Sequence, residues 1–334
     1  MKLRHAASAL VGSVVIAVAA AAPSSSFPSL ISPSSSSPAS SSASSSFPSV
    51  TPGSARTTAA APNTGLARFA AAFARSQAAP EMSPPGANDW SCRPSAAHSR
   101  PVVLIHGTWA NAYANWAGLA PVLKRAGHCV YALNFGAPDG DVFKARGPVP
   151  ESAKEVAAFV DKVLGATGAE QVDLVGHSQG GGLLPRWYLK FEGGAAKTHR
   201  LVGIAPSNHG TTASGMASLA KSLRVLDTTA RMAGQAAKDQ TVGSDVNVQL
   251  DTGGDTVPGV RYTTVVTRTD EVVTPYRQQY LAAGPDAPVD NLTLQDACPV
   301  DMSAHLGIAY STVMYGLVLN ALDPASARPA HCLS

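Results

Sequence analysis

The sequence predicts an α/β protein with a mostly parallel central sheet and helices on both faces. Short apolar runs alternate with amphipathic segments from residue 101 to residue 204. One of these runs ends in a glycine-rich turn that leads directly into a helix-like segment. Strands that alternate with helices are joined by right-handed crossovers, so the sheet is parallel and both its faces are covered. These observations together favour a doubly wound sheet.

The individual elements follow from hydrophobic spacing. Apolar runs predict strands at 101–105, 130–133, 172–175, 201–204 and 262–266. Helical spacing predicts helices at 116–125, 152–164, 183–191 and 306–322. Ser152 and Glu155 stand three residues apart, which predicts a capping box at the start of the second helix. Catalytic or binding residues are expected at the carboxyl ends of the strands.

Residues 211–255 form the least regular part of the predicted domain. Residues 211–238 tolerate a helix, and a glycine-containing turn follows at 251–255. An insertion of this kind above a site is either a helical lid that gates the substrate or an ordinary pair of surface helices. The sequence leaves both readings open.

The N-terminal residues resemble a targeting segment rather than part of a folded domain. Lys2 and Arg4 precede an alanine-rich apolar stretch that ends in small residues, which predicts a signal peptide over 1–22. A transmembrane anchor is the alternative, but the stretch is short and no positive charge follows it. We therefore expect a secreted protein without a transmembrane segment in the mature chain.

The folded domain is predicted to begin well after this segment. Residues 23–64 are almost entirely Ser, Pro and Ala, a composition that cannot offset the entropy of ordering, so disorder is expected. They could serve as a linker, a cell-wall stalk or a site of O-linked sugar. Residues 65–80 predict a short helix or linker, and residues 81–334 a single α/β domain.

Charge and cysteine content limit the possible partners. The formal net charge of +3 is small and the basic residues are scattered, so no nucleic-acid partner is expected. Four cysteines lie far apart without a CxxC pair, which favours disulfides over zinc in a secreted chain. Three connectivities are possible. The preferred one joins Cys92 to Cys129 and Cys298 to Cys332.

The glycine-rich turn contains the strongest chemical signal in the chain. Gly176, Ser178 and Gly180 form a GxSxG motif between a predicted strand and a predicted helix. A serine on so sharp a turn takes strained backbone angles, and the packed turn leaves no room for side chains two residues to either side. The motif therefore predicts a nucleophilic serine at Ser178. The alternative is a glycine-rich turn with an exposed serine.

A serine nucleophile needs a base and an acid, and in the α/β-hydrolase fold, which carries its nucleophile on a GxSxG turn, both follow it in the chain, acid first. His305 lies in a loop before the last predicted helix, whereas His331 adjoins the C-terminal cysteine. Asp270 directly follows the 262–266 strand and is preferred to Glu271. The runners-up for the acid are Asp251, Asp255, Asp296 and Asp301. His106 and His177 are expected to be structural, and His209 is a candidate pocket residue.

A developing oxyanion also needs preorganised donors. The residue after the nucleophile, Gln179, supplies one backbone N–H, and the loop after an earlier strand supplies another at Thr108. The Thr108 hydroxyl is a candidate third donor.

Several of these segments resemble one known family. The similarity extends from about residue 88 to residue 323 and is carried by VVLIHGTWANAYANWAGLAPVLKRAGHCVYALNFG, VDLVGHSQGGGLLPRWYLKF, LVGIAPSNHGTT, TRTDEVVTPY and DMSAHLGIAY. These stretches resemble the secreted bacterial class 2 lipases of the α/β-hydrolase superfamily, actinobacterial members above all. The resemblance implies the α/β-hydrolase fold and a triad of Ser178, Asp270 and His305. It also implies an oxyanion hole at Thr108 and Gln179.

The expected function is hydrolysis of carboxylic esters, in particular acylglycerols, through an acyl-enzyme. The same site would also serve an acyltransferase or a polyester depolymerase, and a non-catalytic cell-wall protein is the remaining alternative. The substrate would be a lipid or ester, which an oil-water interface could present to the enzyme. No cofactor is expected, no metal site is assigned because no calcium ligands can be transferred residue by residue, and a monomer is expected.

Overall fold

The computed structural model describes residues 64–223, 234–330 and 332. The predicted signal peptide, nearly all of the predicted Ser/Pro/Ala-rich segment and His331 lie outside these residues. Six parallel strands form one sheet in the order β2-β1-β3-β4-β5-β6. The strands are β1 Val102–Ile105, β2 Val130–Leu133, β3 Val172–His177, β4 Thr198–Ile204, β5 Arg261–Val266 and β6 Val289–Thr293. The predicted mostly parallel sheet is confirmed.

Helices cover both faces of this sheet. They are α1 Thr64–Ser76, α2 Ala112–Trp116, α3 Leu119–Arg125, α4 Val149–Thr167, α5 Leu183–Phe191, α6 Gly194–Lys197, α7 Ala213–Ser222, α8 Gly234–Asp239, α9 Asp245–Asp251, α10 Leu294–Ala297 and α11 Thr312–Leu322. Short 3₁₀ turns occur at Ser178–Gly181, Tyr276–Gln279, Gly307–Tyr310 and Pro324–Ser326. None of the helices in the described ranges is long and apolar enough to cross a membrane.

The two layers follow from side-chain alternation along the strands. Val103 and Ile105 of β1 pack into a buried apolar cluster with α4 and α5. Val102 and Leu104 point to the opposite face and pack with α3 and α11. Because successive residues of a strand face opposite sides, a continuous apolar run is what a strand buried on both faces requires.

Three details differ from the sequence-based expectation. The predicted capping box is wrong, because α4 begins three residues before Ser152, which is buried inside the helix. The Glu155 carboxylate instead accepts a hydrogen bond from the backbone N–H of Gly136. The last predicted helix is divided: its first residues form a 3₁₀ turn, and Ser311 caps α11. Strand β6 was not predicted because two of its residues, Asp290 and Asn291, are exposed and polar and interrupt the apolar pattern.

Helix α1 packs on the domain next to the segment that follows His305. A β-carbon on Gly65 would lie 2.4 Å from the carbonyl oxygen of Gly307, so helix and segment are in close contact. Phe69 is 1% exposed and meets the ring of Tyr310 edge to face, with 6.1 Å between ring centroids. The helix is thus part of the same packed unit as the sheet.

The structure contains two disulfides. They join Cys92 to Cys129 and Cys298 to Cys332, the connectivity that the sequence favoured. The first fastens the segment before β1 to the start of β2. The second fastens the C-terminal residues to the end of α10, in the stretch that leads to His305.

Candidate active site

The strand order places a crevice above β1 and β3. The chain moves from β1 to β2 on one side and then returns to β3 on the other, so the sheet changes winding direction between β1 and β3. In open parallel sheets this switch point leaves a crevice at the carboxyl ends of the two strands. Thr108 follows β1 and Ser178 follows β3. Both candidate residues therefore lie beside the crevice.

Ser178 occupies a strained turn, as the motif predicts. Its φ of +56° lies in the left-handed region, which non-glycine residues rarely adopt. A β-carbon on Gly176 would lie 1.7 Å from the Gly180 carbonyl oxygen, and one on Gly180 would lie 2.3 Å from the His106 carbonyl oxygen. Because these neighbours are backbone atoms that cannot move aside, only glycine fits at either position.

The structure brings Ser178, His305 and Asp270 together. His305 Nε2 lies 2.9 Å from Ser178 Oγ, and His305 Nδ1 lies 2.9 Å from Asp270 Oδ2. The histidine is fully buried, and both side chains of the His305–Asp270 pair are inaccessible to solvent. The imidazole thus bridges hydroxyl and carboxylate, the arrangement in which it can accept the serine proton.

Backbone and side-chain donors hold Asp270 in place. Its Oδ1 accepts hydrogen bonds from the backbone N–H groups of Val272 and Val273, both at 2.8 Å. Its Oδ2 accepts a third from Gln279 Nε2 at 3.0 Å. Burial raises the pKa of Asp270, but the charge and hydrogen bond of His305 and the two backbone N–H donors outweigh it and hold the pKa below its ordinary value. The carboxylate therefore stays ionised beside the imidazole.

The backbone of His305 is also fixed on both sides. Its N–H donates to the Glu271 carboxylate at 3.1 Å, and its carbonyl oxygen accepts from His177 Nε2 at 2.8 Å. Burial lowers the pKa of His305, but the negative charges of Asp270 and Glu271 raise it by a larger amount. The net shift of the pKa is therefore upward. Burial and the charge of His305 lower the pKa of His177 to about 3, so His177 stays neutral.

Thr108 and Gln179 lie next to the serine. The Thr108 hydroxyl donates to Gln179 Oε1 at 3.1 Å, and both residues are buried. A β-carbon on Gly107 would lie 3.0 Å from Ser178 Cβ, so the loop after β1 runs directly past the serine. This position suits backbone N–H groups that stabilise an oxyanion.

An apolar cluster connects the loops of the site with α1 and α7. Its buried members are Phe69, Trp109, Ala110, Met216, Leu219, Leu223, Val272, Val273, Leu306, Ala309 and Tyr310. Three of the loops that supply site residues contribute to it, since Trp109 follows Thr108, Val272 follows Asp270 by two residues and Leu306 follows His305. Ser178 is only 3% exposed beneath these loops. A lid within 211–255 stays a prediction, and residues 224–233 lie outside the described residues.

His209 and two runners-up for the acid form a separate polar cluster. His209 Nδ1 lies 3.1 Å from Asp251 Oδ1, and Nε2 lies 3.6 Å from Asp255 Oδ2. The ligand atoms of the three residues lie within 4.8 Å of one another, the spacing of a cation site. The buried Arg186 guanidinium already opposes both carboxylates, at 3.5 and 3.4 Å. The cluster is therefore accounted for by an ion-pair network.

The other two alternative candidates for the catalytic acid, Asp296 and Asp301, also have other partners. Asp296 pairs with Arg268 on the surface, and Asp301 accepts hydrogen bonds from Ser303 N–H and the Ser311 hydroxyl. His106 is buried, with its ring stacked on that of Phe135 at 4.4 Å between centroids.

Sequence reasoning missed two polar residues that contact the site. Gln279 donates to Asp270, and Gln240 donates to the Thr108 hydroxyl. Neither glutamine belongs to a recognised motif, so no signal in the chain pointed to it. Glu271 was considered only as a rival acid, whereas the structure places its carboxylate on the His305 backbone.

Solved structures resemble this fold. Lipase B from Aspergillus fumigatus superposes with a TM-score of 0.58 and 22% identity, covering 75% of this chain and 57% of that one. Bacillus licheniformis lipase BlEst2 in its mature form gives a TM-score of 0.50 and 16% identity, covering 69% of this chain and 94% of that one. At these identities the likeness establishes the fold alone. The chain has the α/β-hydrolase fold.

Sequence comparison gives the family. The family described as Lipase (class 2) matches residues 99–305, more than half of the chain. The chain belongs to this class 2 lipase family. Two curated relatives, from Pseudarthrobacter phenanthrenivorans and Burkholderia plantarii, are named triacylglycerol lipase, and each is 39% identical over 92 residues. That match covers 26% of this chain and only 27% and 24% of the respective relatives.

Proposed function

We propose that this chain is a serine carboxylic ester hydrolase that cleaves acylglycerols through an acyl-enzyme. The observation that carries the proposal is the imidazole of His305, which lies 2.9 Å from Ser178 Oγ and 2.9 Å from Asp270 Oδ2. The strained φ of Ser178 supports the role of nucleophile, because such strain persists at functional sites. Membership of a lipase family supports the ester class.

The reaction follows from this geometry. Ser178 Oγ attacks the ester carbonyl carbon while His305 Nε2 takes the hydroxyl proton, and Asp270 stabilises the imidazolium that forms. The negative charge that develops on the carbonyl oxygen is stabilised by the backbone N–H groups of Thr108 and Gln179. His305 then returns the proton to the leaving alcohol. Water, deprotonated by His305, attacks the acyl-enzyme and releases the acid together with free Ser178.

The names of the curated relatives favour acylglycerols among esters, since both are called triacylglycerol lipase. A chain-length series of glycerol and p-nitrophenyl esters, measured below and above their solubility limit, tests this choice. If the apolar cluster around the site opens at an interface, turnover of glycerol esters is expected to increase once their concentration exceeds the solubility limit. Turnover restricted to short, dissolved esters would contradict the acylglycerol assignment.

The catalytic assignment is tested by Ser178→Ala. The variant should lose p-nitrophenyl ester turnover and labelling by a fluorophosphonate probe while its thermal unfolding stays close to that of the native protein. Ser91→Ala is the matched control, because Ser91 is an exposed serine whose hydroxyl donates to Asp89. Near-normal turnover in Ser178→Ala would exclude this site as the source of the activity.

We further propose that the protein is secreted. The two disulfides support this location, because such bonds persist in oxidising compartments. The basic and alanine-rich N-terminal residues support a removable signal peptide. N-terminal sequencing of the protein from culture medium should begin after residue 22, and a product that retains Met1 inside the cell would contradict export.

A further inference from the structure

Gln240, the residue after α8, reaches the candidate oxyanion hole. Its Nε2 lies 2.8 Å from Thr108 Oγ1, although 132 residues separate the two in sequence. Both residues are 2% exposed, so water does not compete for the bond. The same amide holds Ser207 through Oε1, which accepts from the Ser207 hydroxyl at 3.1 Å. Ser207 in turn donates its backbone N–H to the carbonyl oxygen of Ser178.

The surroundings determine which way the Gln240 amide points. Its Nε2 also lies 3.2 Å from the carbonyl oxygen of Ala236, and a carbonyl oxygen can only accept. The nitrogen must therefore be on the side of Ala236 and Thr108, and the oxygen on the side of Ser207. The Gln240 backbone is fixed as well, because its carbonyl oxygen accepts from the Thr211 N–H at 2.7 Å.

This orientation decides what the Thr108 hydroxyl can do. A hydroxyl has one proton to donate and lone pairs that accept. Because the Gln240 N–H occupies an accepting lone pair, the single proton of Thr108 is left free to donate. In the structure that proton is directed to Gln179 Oε1, 3.1 Å away, beside the serine.

We propose that Gln240 is a positioning residue that holds the Thr108 hydroxyl as a hydrogen-bond donor to the oxyanion. The inference rests on the proposed esterase function and adds a residue from outside the triad to it. When the tetrahedral intermediate forms, the Thr108 proton leaves Gln179 Oε1 and is donated to the oxyanion. Gln240 keeps the hydroxyl oxygen in position throughout, so only the O–H bond has to turn as the charge develops.

The expected kinetic effect falls on kcat rather than on KM. The oxyanion exists only in the transition state and intermediate, so losing a donor to it leaves binding of the neutral ester unchanged. Removal of one oxyanion donor costs about 10²- to 10³-fold in rate. Thr108→Val, which removes the hydroxyl and keeps the branched shape, should lower kcat by about this factor. Gln240→Met should lower kcat by about tenfold, because the hydroxyl remains but is no longer held as a donor.

A double-mutant cycle tests the coupling. The native protein, Gln240→Met, Thr108→Val and the double variant are compared by kcat and KM on a p-nitrophenyl ester, with thermal unfolding measured for each. Gln235→Met is the matched control, since Gln235 is an exposed glutamine of α8 that donates only to Asp239 among the bonds the structure shows. Gln240→Leu, which has a similar size and no hydrogen-bonding group, replaces Gln240→Met if that variant does not fold.

The inference requires that Gln240→Met lower kcat no further when Thr108 is already replaced by valine. The double variant should therefore have the kcat of Thr108→Val within about twofold, within the usual error of such cycles. Losses that multiply in the double variant, or a rise in KM at unchanged kcat, would overturn the positioning role. If Ser178→Ala keeps its activity, the proposed function fails instead, and the cycle then reports on a different reaction.

Discussion

Replacing Asp270 by asparagine tests the part of the site that orients the imidazole. In the native site Oδ1 accepts from two backbone N–H groups, so the carbonyl oxygen of an asparagine would have to occupy that position. Its amide nitrogen would then face His305 Nδ1 and Gln279 Nε2, where Oδ2 now accepts. The amide N–H would donate to Nδ1, so the ring proton would move to Nε2, and His305 could no longer accept the proton of Ser178.

The size of the effect follows from this change of tautomer. Fixing the imidazole in the wrong tautomer costs about 10⁴-fold in kcat in a Ser-His-Asp triad. Two further consequences accompany it. Asp270→Asn places a donor opposite Gln279 Nε2, so some loss of stability is expected. The charge that raises the pKa of His305 is also removed, so the acid limb of the remaining activity should move to lower pH.

The assay is p-nitrophenyl ester hydrolysis from pH 5 to pH 9, with kcat and KM determined at each pH for folded protein. Asp296→Asn is the control, because Asp296 is an exposed aspartate paired with Arg268 outside the site. The control should stay within about twofold of native kcat, since surface ion pairs contribute little. A kcat for Asp270→Asn within about tenfold of the native value would show that the carboxylate does not orient the base, and the tautomer argument would then be wrong.

Three further predictions concern the pH profile, the turn and the N-terminal helix. Because the pKa of His305 is raised above its ordinary 6.5 and the base must be neutral, the acid limb of kcat/KM should have its midpoint above 6.5. Glu271→Gln should move that midpoint to lower pH, and an unchanged profile would contradict the role of this charge. Gly176→Ala should abolish folded protein, because its β-carbon would lie 1.7 Å from a backbone carbonyl oxygen. The control Gly165→Ala, in α4 with nothing within 4 Å of its β-carbon, should gain about 0.5 to 1 kcal/mol. Phe69→Ala should cost about 3 to 5 kcal/mol in denaturant unfolding, and a loss below about 1 kcal/mol would show that α1 is not docked on the domain.

The sequence predicted the elements that repeat a simple period. The five strands it indicated are all present, because strands buried on both faces must be continuously apolar. Strand β6 was not predicted because it lies at the edge of the sheet. Its exposed residues Asp290 and Asn291 need not be apolar there. The start of α4 was misplaced for a related reason. Ser152 and Glu155 match a local capping pattern, but the surrounding packing buries Ser152 within the helix instead.

The site shows the same division between local pattern and tertiary contact. Gly176, Ser178 and Gly180 could be recognised because the motif is contiguous in the chain, although a β-carbon on Gly180 would meet the backbone of His106 rather than a neighbour in sequence. Asp270 and His305 could be proposed from chain order after the strands, although their distances required the structure. No local rule exists for Gln240 and Gln279, since Gln240 contacts Thr108 across 132 residues and the contact of Gln279 with Asp270 depends on how the loop after β5 folds.

By itself, then, the sequence determined the parallel sheet, the serine turn and the order of the candidate acid and base that follow it. Hydrophobic periodicity and the GxSxG pattern each involve residues that are close in the chain, so the order of residues is enough to specify them. Only the tertiary structure decided which acid reaches His305, how α1 and α7 pack on the loops of the site, and which glutamine fixes the Thr108 hydroxyl. Those contacts depend on where the packed layers bring distant side chains, and a hydrogen bond is specified by distances of a few tenths of an ångström that no sequence spacing records.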